Sequence, residues 1–148
     1  MLQRVQSLFL FAITIIHLLL LFVPSAGWVS ADGNAVLTAL KIQYGALKGF
    51  PAIFFLVNFL VVALSVVTIF LYRNRKTQMT ACRFIFIALI VHYAVVLYYI
   101  TNPAPSYAFE PARSPGLIFP LVSLILTWLA LRNIRKDDEL IRSVDRIR

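Results

Sequence analysis

Arg73-Asn74-Arg75-Lys76-Thr77-Gln78, closed by Arg83, stands at the middle of a 148-residue chain. Residues 49–72 (GFPAIFFLVNFLVVALSVVTIFLY) lead into it without a single Asp, Glu, Lys or Arg. Residues 84–100 (FIFIALIVHYAVVLYYI) lead away from it, equally free of charge. A spanning helix needs about 20 mostly apolar residues, with about 17 tolerated. A basic turn between two such runs therefore reads as a hairpin that crosses a bilayer and returns.

Working outward, two more apolar runs appear. Residues 5–31 carry no charged side chain, and their apolar heart, 8–23 (LFLFAITIIHLLLLFV), ends at Pro24. Residues 115–131 (PGLIFPLVSLILTWLAL) form the last run, in which Pro120 is expected to kink the helix. The fold class expected is an all-α membrane protein. Four transmembrane helices, at about 5–24, 50–72, 82–100 and 115–131, form two hairpins within one domain, 1–131. Residues 132–148 follow as a charged, amphipathic cytoplasmic helix.

Composition agrees. The chain is 61% hydrophobic and 14% charged, whereas soluble domains carry about 25% charged residues. The lone Cys82 excludes an internal disulfide framework and a CxxC redox pair. At the cytoplasmic edge of the third run it is expected to be reduced and structural. The first run admits a second reading as a secretory signal peptide, with Val29-Ser30-Ala31 before the cut. The uncleaved helix is preferred because the apolar stretch is long for a signal.

Charge placement gives the threading. Arg4, Arg73, Arg75, Lys76, Arg83, Arg132, Arg135, Lys136, Arg142, Arg146 and Arg148 fall on one side, and only Lys41, Lys48 and Arg113 on the other. Lys and Arg near span ends stay cytoplasmic, so both termini are placed inside. The net charge of +8 then follows from topology, and no nucleic-acid partner is needed to explain it. Arg4, Arg73, Arg75, Lys76, Arg83 and Arg132 are accordingly read as topology and lipid-headgroup residues, with the bilayer as the first partner.

The outer loops are less regular. Val36, Leu37, Leu40, Tyr44 and Leu47 recur at helical spacing, which admits a short interfacial helix or an ordered loop after the turn signal Asp32-Gly33-Asn34. Residues 101–114 contain Pro103, Pro105 and Pro111 and are expected to lie in water or headgroups with polyproline character. Thr68-Ile-Phe-Leu-Tyr-Arg73-Asn74 parallels Thr127-Trp-Leu-Ala-Leu-Arg132-Asn133. That echo is either a parallel repeat of hairpins or two cytoplasmic helix ends shaped by one topological pressure; the second is preferred.

No Asp or Glu falls within the runs, and no metalloprotease helix, phosphate-binding glycine loop or serine elbow occurs. Proton-coupled pumps generally need an intramembrane carboxylate. Two histidines remain. At 1.5 Å per residue, His17 and His92 each lie roughly 12–14 Å from the cytoplasmic side, with Asn58 and Ser123 near the same depth. Their plain reading is a polar cluster bonding across helices. Their sharper reading is bis-imidazole ligation of haem b. Tyr93, beside His92, reads as packing.

In the tail, Leu140, Ile141, Val144 and Ile147 form one apolar stripe at helical spacing, and Asp138 and Arg142 stand four apart. Three patches carry a resemblance: Met1-Leu2-Gln3-Arg4-Val5-Gln6-Ser7, the central Arg73–Gln78 turn, and 134–148 (IRKDDELIRSVDRIR). Together they resemble an uncharacterised family of small four-pass bacterial inner-membrane proteins, a domain of unknown function. The resemblance implies an uncleaved first helix and a bacterial cytoplasmic membrane, and it implies no activity. The function expected is a non-enzymatic accessory or scaffolding subunit, with the 140/141/144/147 stripe as its docking face for a membrane or cytoplasmic protein. A small transporter or channel is the alternative, and the haem-bearing electron carrier the third.

Overall fold

The computed structural model describes residues 3–30, 33–44, 47–102, 110–112 and 114–145. Four α-helices dominate: α1 Gln3–Leu19, α2 Ala52–Phe70, α3 Arg75–Thr101 and α4 Ile118–Asp145. α1 packs on α2 and α4, and α3 packs on the same two, so the four close into a ring. Among the described residues, three segments are long and apolar enough to cross a membrane: Ala52–Arg73, Arg75–Thr101 and Pro115–Ile141. Val5–Leu19 is a shorter apolar helix.

One rule positions most of the buried residues in the ring. The inward seam is Gln6, Leu10, Ile13 and His17 on α1 with Leu20 just past its end, and Phe54, Asn58, Val61, Ser65 and Thr68 on α2. On α3 it is Gln78, Cys82, Ile85, Leu89, His92 and Val96, and on α4 Ser123, Thr127, Ala130, Ile134 and Asp137. The spacing alternates between three and four on all four helices, the repeat of a left-handed bundle. What fills the seam is unusual for a protein in water. Nearly half of those positions are polar, while Leu8, Leu56, Phe59, Phe70, Phe84 and Ile125 stand more than half exposed on the outside. A polar seam beneath an outer surface of large apolar side chains is compatible with a membrane protein.

The ends of the helices differ from the boundaries drawn on the sequence. The central turn shrinks to a 3-10 turn, Leu71–Arg73, and Asn74. Asn74 accepts a hydrogen bond from the Thr77 N–H at 3.2 Å and so caps α3. Arg75, Lys76 and Gln78 are therefore helical, and the third helix begins seven residues before 82. Gln78 turns inward and donates to the Thr68 carbonyl at 3.2 Å, tying the start of α3 to the end of α2. Pro120 sits in the first turn of α4, just after the 3-10 turn Pro115–Leu117. There its missing N–H breaks no helical bond, and the helix runs unbroken from Ile118 to Asp145. As far as Asp145 the tail continues α4. After α1, turns carry the chain from Leu20 to Val23.

The largest departure lies between α1 and α2. Among the described residues there, none is helical. Residues 26–49 fold into β1 Ala26–Ser30, β2 Gly33–Leu37, β3 Ile42–Tyr44 and β4 Leu47–Gly49, and β5 Glu110–Ala112 joins from the α3–α4 connection. All pairings are antiparallel, in the order β4-β3-β2-β1-β5. The side chains explain why strands win. Ala26 and Trp28 are buried while Val29 is half exposed; Ala35 and Leu37 are buried while Asn34 is exposed. That period of two seats one face of the sheet on the bundle. Ser30 pairs with Gly33, so Asp32 of the turn signal belongs to a two-residue connection outside the described residues. Pro111 faces Trp28 on β5, an edge strand, where a residue without an N–H is tolerated. Pro103, Pro105 and Arg113 lie outside the described residues.

Two apolar clusters result. Leu10, Ile13, Val61, Cys82, Ile85, Leu89, Ala130 and Ile134 pack nearer the turn end of the bundle. Trp28, Ala35, Leu37, Phe54 and Val96 join the sheet to the opposite end. Gly116 locks that junction. Its N–H donates to the Pro24 carbonyl at 3.0 Å, and a Cβ there would stand 2.3 Å from the same oxygen.

Candidate functional site: the buried polar layer

Between the two apolar clusters lies a layer of polar side chains. His17 from α1, Asn58 from α2 and His92 from α3 are all wholly buried. Their seam positions bring them there, because each replaces an apolar residue in the three-four repeat of its helix.

The hydrogen bonds fix how the layer is oriented. The Asn58 Nδ2 donates to the His17 main-chain carbonyl at 3.0 Å. That assignment leaves the Asn58 Oδ1 facing His17 Nδ1 at 2.8 Å. An amide oxygen only accepts, so Nδ1 carries the proton and Nε2 presents a lone pair. The His17 and His92 rings meet edge to face, with centroids 5.3 Å apart and planes at 84°. Phe54 lies against His92 at 4.9 Å. His17 Nε2 and both nitrogens of His92 find no hydrogen-bond partner. Imidazoles that ligate haem b from two sides hold a macrocycle between them, and rings in direct contact would have to part to admit one.

Other predicted residues are distributed around this layer. Ser123 is wholly buried on α4, with an unpartnered hydroxyl, and its carbonyl accepts from the Thr127 hydroxyl at 2.7 Å. Tyr93 points away from His92. Its hydroxyl donates to the Leu117 carbonyl at 2.9 Å, joining α3 to the turn before α4. Cys82 is buried in the apolar cluster nearer the turn.

Sequence reading missed two partners of the layer. Thr14 and Ser65 meet at 2.8 Å, one helical turn from the histidine level. At the turn end, Gln6 Nε2 donates to Asp137 Oδ2 at 2.6 Å, with both residues buried. Asp137 is therefore a structural member of the bundle, although it lies in the charged segment 132–148. The signal was present in the sequence. Ser123, Thr127, Ala130, Ile134 and Asp137 continue one seam straight through the start of the basic tail.

The cytoplasmic patches of the sequence reading gather at this same end. Tyr72, Arg73, Asn74, Arg75, Lys76 and Asp138 line an open cleft of about 500 Å³. Arg83 is exposed on α3. Arg132 lies over the Trp128 ring, 5.6 Å from its centroid, and Arg135 pairs with Glu139 at 3.1 Å. The Arg4 and Arg142 side chains are outside the described set. Of the apolar stripe, Leu140 and Ile141 are exposed at 55% and 43%; the Val144 side chain and Ile147 are not described. Among the described residues no three His, Cys, Asp or Glu side chains cluster as metal ligands.

The sequence profile of one family, Domain of unknown function (DUF4293), matches residues 2–147. No curated protein and no solved structure matches the chain.

Proposed function

The chain belongs to this family of unknown function, DUF4293, and we propose that it is a four-helix integral membrane protein acting as a non-enzymatic accessory subunit. The observation that carries the reading is the inverted polarity of the bundle. Its seam holds His17, Asn58, Ser65, Thr68, His92, Ser123 and Thr127, and its outer surface holds Leu, Ile, Val and Phe. α1 is the fourth span in this reading, although it is shorter than the others. Asn58, Ser65 and Asp137 each bond to it, which supports its retention as a helix of the bundle and argues against its removal as a signal.

The turn end faces the cytoplasm of a bacterial inner membrane. It gathers the start of α1, the Arg73–Lys76 corner and the last turns of α4; the sequence segments assigned to this side, Arg83 included, carry eleven of the 14 Lys and Arg residues. The sheet then covers the outer end. Asn58, His17, His92 and Phe54 meet side to side at the bundle axis, and that close packing supports a structural role over a conducting path. α4 projects beyond Asp137 with Leu140 and Ile141 exposed, beside a shallow hollow lined by Lys136, Glu139, Leu140 and Ser143. This face is the docking surface for a cytoplasmic protein partner.

Cysteine labelling tests the threading. In a Cys82→Ala background, Ser143→Cys is expected to react with an impermeant maleimide only after the inner membrane is opened. Val29→Cys is expected to react in intact spheroplasts. The reverse pattern, or reaction of both in intact spheroplasts, would overturn the orientation. Leu140→Glu tests docking better than truncation after Lys136, because truncation also removes Asp137 from its Gln6 bond. If Leu140→Glu leaves every co-purifying protein in place, α4 is not the docking element.

A further inference from the structure

The α2–α3 pair carries a basic cleft and an apolar groove. At the turn end, Arg73, Arg75 and Lys76 share the cleft of about 500 Å³ with Tyr72, Asn74 and Asp138. Farther along the same pair, a groove of about 320 Å³ opens on the outside of the bundle. Leu60 and Leu64 of α2 and Phe84, Ile87 and Val91 of α3 form its walls. Ala88 lies between them, and its single methyl group leaves the hollow open.

One strip of surface joins the groove to the cleft. Lys76, Thr80, Phe84, Ile87 and Val91 succeed one another at steps of three or four along α3. Val67, Leu64, Leu60 and Val57 do the same along α2. Thr80 and Val67, which stand between the two hollows, are exposed, so the strip reaches the surface there. From Val57 to Tyr72 is 15 residues, about 22 Å along the helix. Half of a bilayer, headgroups included, is about 20–22 Å thick. A lipid of one leaflet with its phosphate beside Tyr72 therefore brings its chain end to Val57.

Charge selects the class of lipid. Three bases meet one acid in the cleft, so a phosphodiester is attracted and the ammonium of a zwitterionic headgroup is opposed. Arg and Lys side chains also make strong, charge-assisted hydrogen bonds to phosphate oxygens. We propose that this face binds one anionic glycerophospholipid of the cytoplasmic leaflet, with its phosphodiester in the cleft and one acyl chain in the groove. Threading requires basic residues on this side. It does not require three of them on one cleft below an apolar groove. The site rests on the membrane reading above and does not depend on docking at α4.

The test is native mass spectrometry of the full-length protein released from nanodiscs of phosphatidylglycerol and phosphatidylcholine with the same chains. Wild type is expected to keep one phosphatidylglycerol, preferred about 30-fold, at about 5-fold for each positive charge in excess in the cleft. Arg73→Gln with Lys76→Gln is expected to abolish the preference. Arg135→Gln with Lys136→Gln removes the same charge from the same side but outside the cleft, and is expected to keep it. Glycerophosphoglycerol, the headgroup without chains, is expected not to displace the lipid even in large excess. Phosphatidylglycerol carrying a diazirine at one chain end is expected to label wild type around Val57 and Val91, a readout that needs no variant to fold. Equal retention of the two lipids, equal loss in the two double variants, displacement by the chain-free headgroup, or labelling spread over all four helices would overturn the lipid site and leave the membrane reading standing. A protein that neither enters nanodiscs nor keeps either lipid would overturn both.

Discussion

Breaking the Gln6–Asp137 bond gives the sharpest test of how the bundle is held at its turn end. The two residues are 131 apart in sequence and join α1 to α4. Gln6 is 3% exposed and Asp137 7%. At 2.6 Å, an amide N–H donating to a carboxylate oxygen is a short, charge-assisted bond. Such bonds are worth about 1.5–3 kcal/mol net. Removing only the donor, by Gln6→Leu, leaves the carboxylate buried beside an apolar side chain. The expected loss is about 2–4 kcal/mol, between a lost charged hydrogen bond and an uncompensated buried charge.

Removing only the acceptor costs less. Asp137→Leu leaves a neutral amide without its partner, about 1–3 kcal/mol. The double variant is where the reasoning is exposed. Leu at both positions continues the apolar seam of Leu10 and Ile134, and replacing both members of a buried polar pair is near neutral or stabilising. The double variant is therefore expected within about 1 kcal/mol of wild type, although each single falls well below it. Unfolding free energies of the four proteins, measured in bicelles by steric trapping, complete the cycle. Effects that add to within about 0.5 kcal/mol would show that the two side chains do not interact. The place of Asp137 in the bundle would then be wrong.

Three further outcomes follow from the same geometry. Gly116→Ala would set a methyl group 2.3 Å from the Pro24 carbonyl, and a loss of about 1–3 kcal/mol is expected in a thermal melt; no loss would mean the junction gives way freely. Phe54→Ala, at a wholly buried ring, is expected to cost about 3–5 kcal/mol; Phe59→Ala, 58% exposed, should cost far less in bicelles, and equal losses would refute the assignment of the outer face to lipid. Arg135→Ala removes an ion pair whose side chains are 76% and 64% exposed, so its unfolding free energy should stay within about 1 kcal/mol of wild type.

The sequence made the helices legible and hid the sheet. Charge-free runs such as 49–72 mark long apolar helices by length and composition alone. Between α1 and α2 the same logic has no purchase. Val36, Leu37, Leu40, Tyr44 and Leu47 stand at helical spacing, yet Val36 and Leu37 lie on opposite faces of β2, and Leu40 is exposed after the strand ends. The decisive pattern was the shorter one, Ala26 with Trp28 and Ala35 with Leu37, and it becomes visible only once a surface exists for the strands to cover. The pairing of β5 with β1 joins segments more than 80 residues apart, and no local signal reports it. Helix ends moved for local reasons: Asn74 caps α3 early, and Pro120 falls in a first turn where it does no harm.

The polar layer was half legible, for a reason that bears on how such bundles should be read. Residue counts from the span ends put His17, Asn58, His92 and Ser123 at similar depth, but depth alone does not say which face a side chain takes. The three-four seam does. On α4 it runs through Ser123, Thr127, Ala130, Ile134 and Asp137 without regard to whether a position is apolar, polar or charged. In a water-soluble bundle hydrophobicity reveals the seam, because the outside is polar. In this chain the outside is apolar as well, and hydrophobicity carries no facial information. In the membrane setting proposed above, the polar residues themselves mark the seam, because lipid excludes such groups. Asp137 stands at the start of the charged tail, 132–148, and its charge alone suggests solvent. Its spacing from Ser123 and Thr127, and not its charge, places it inside.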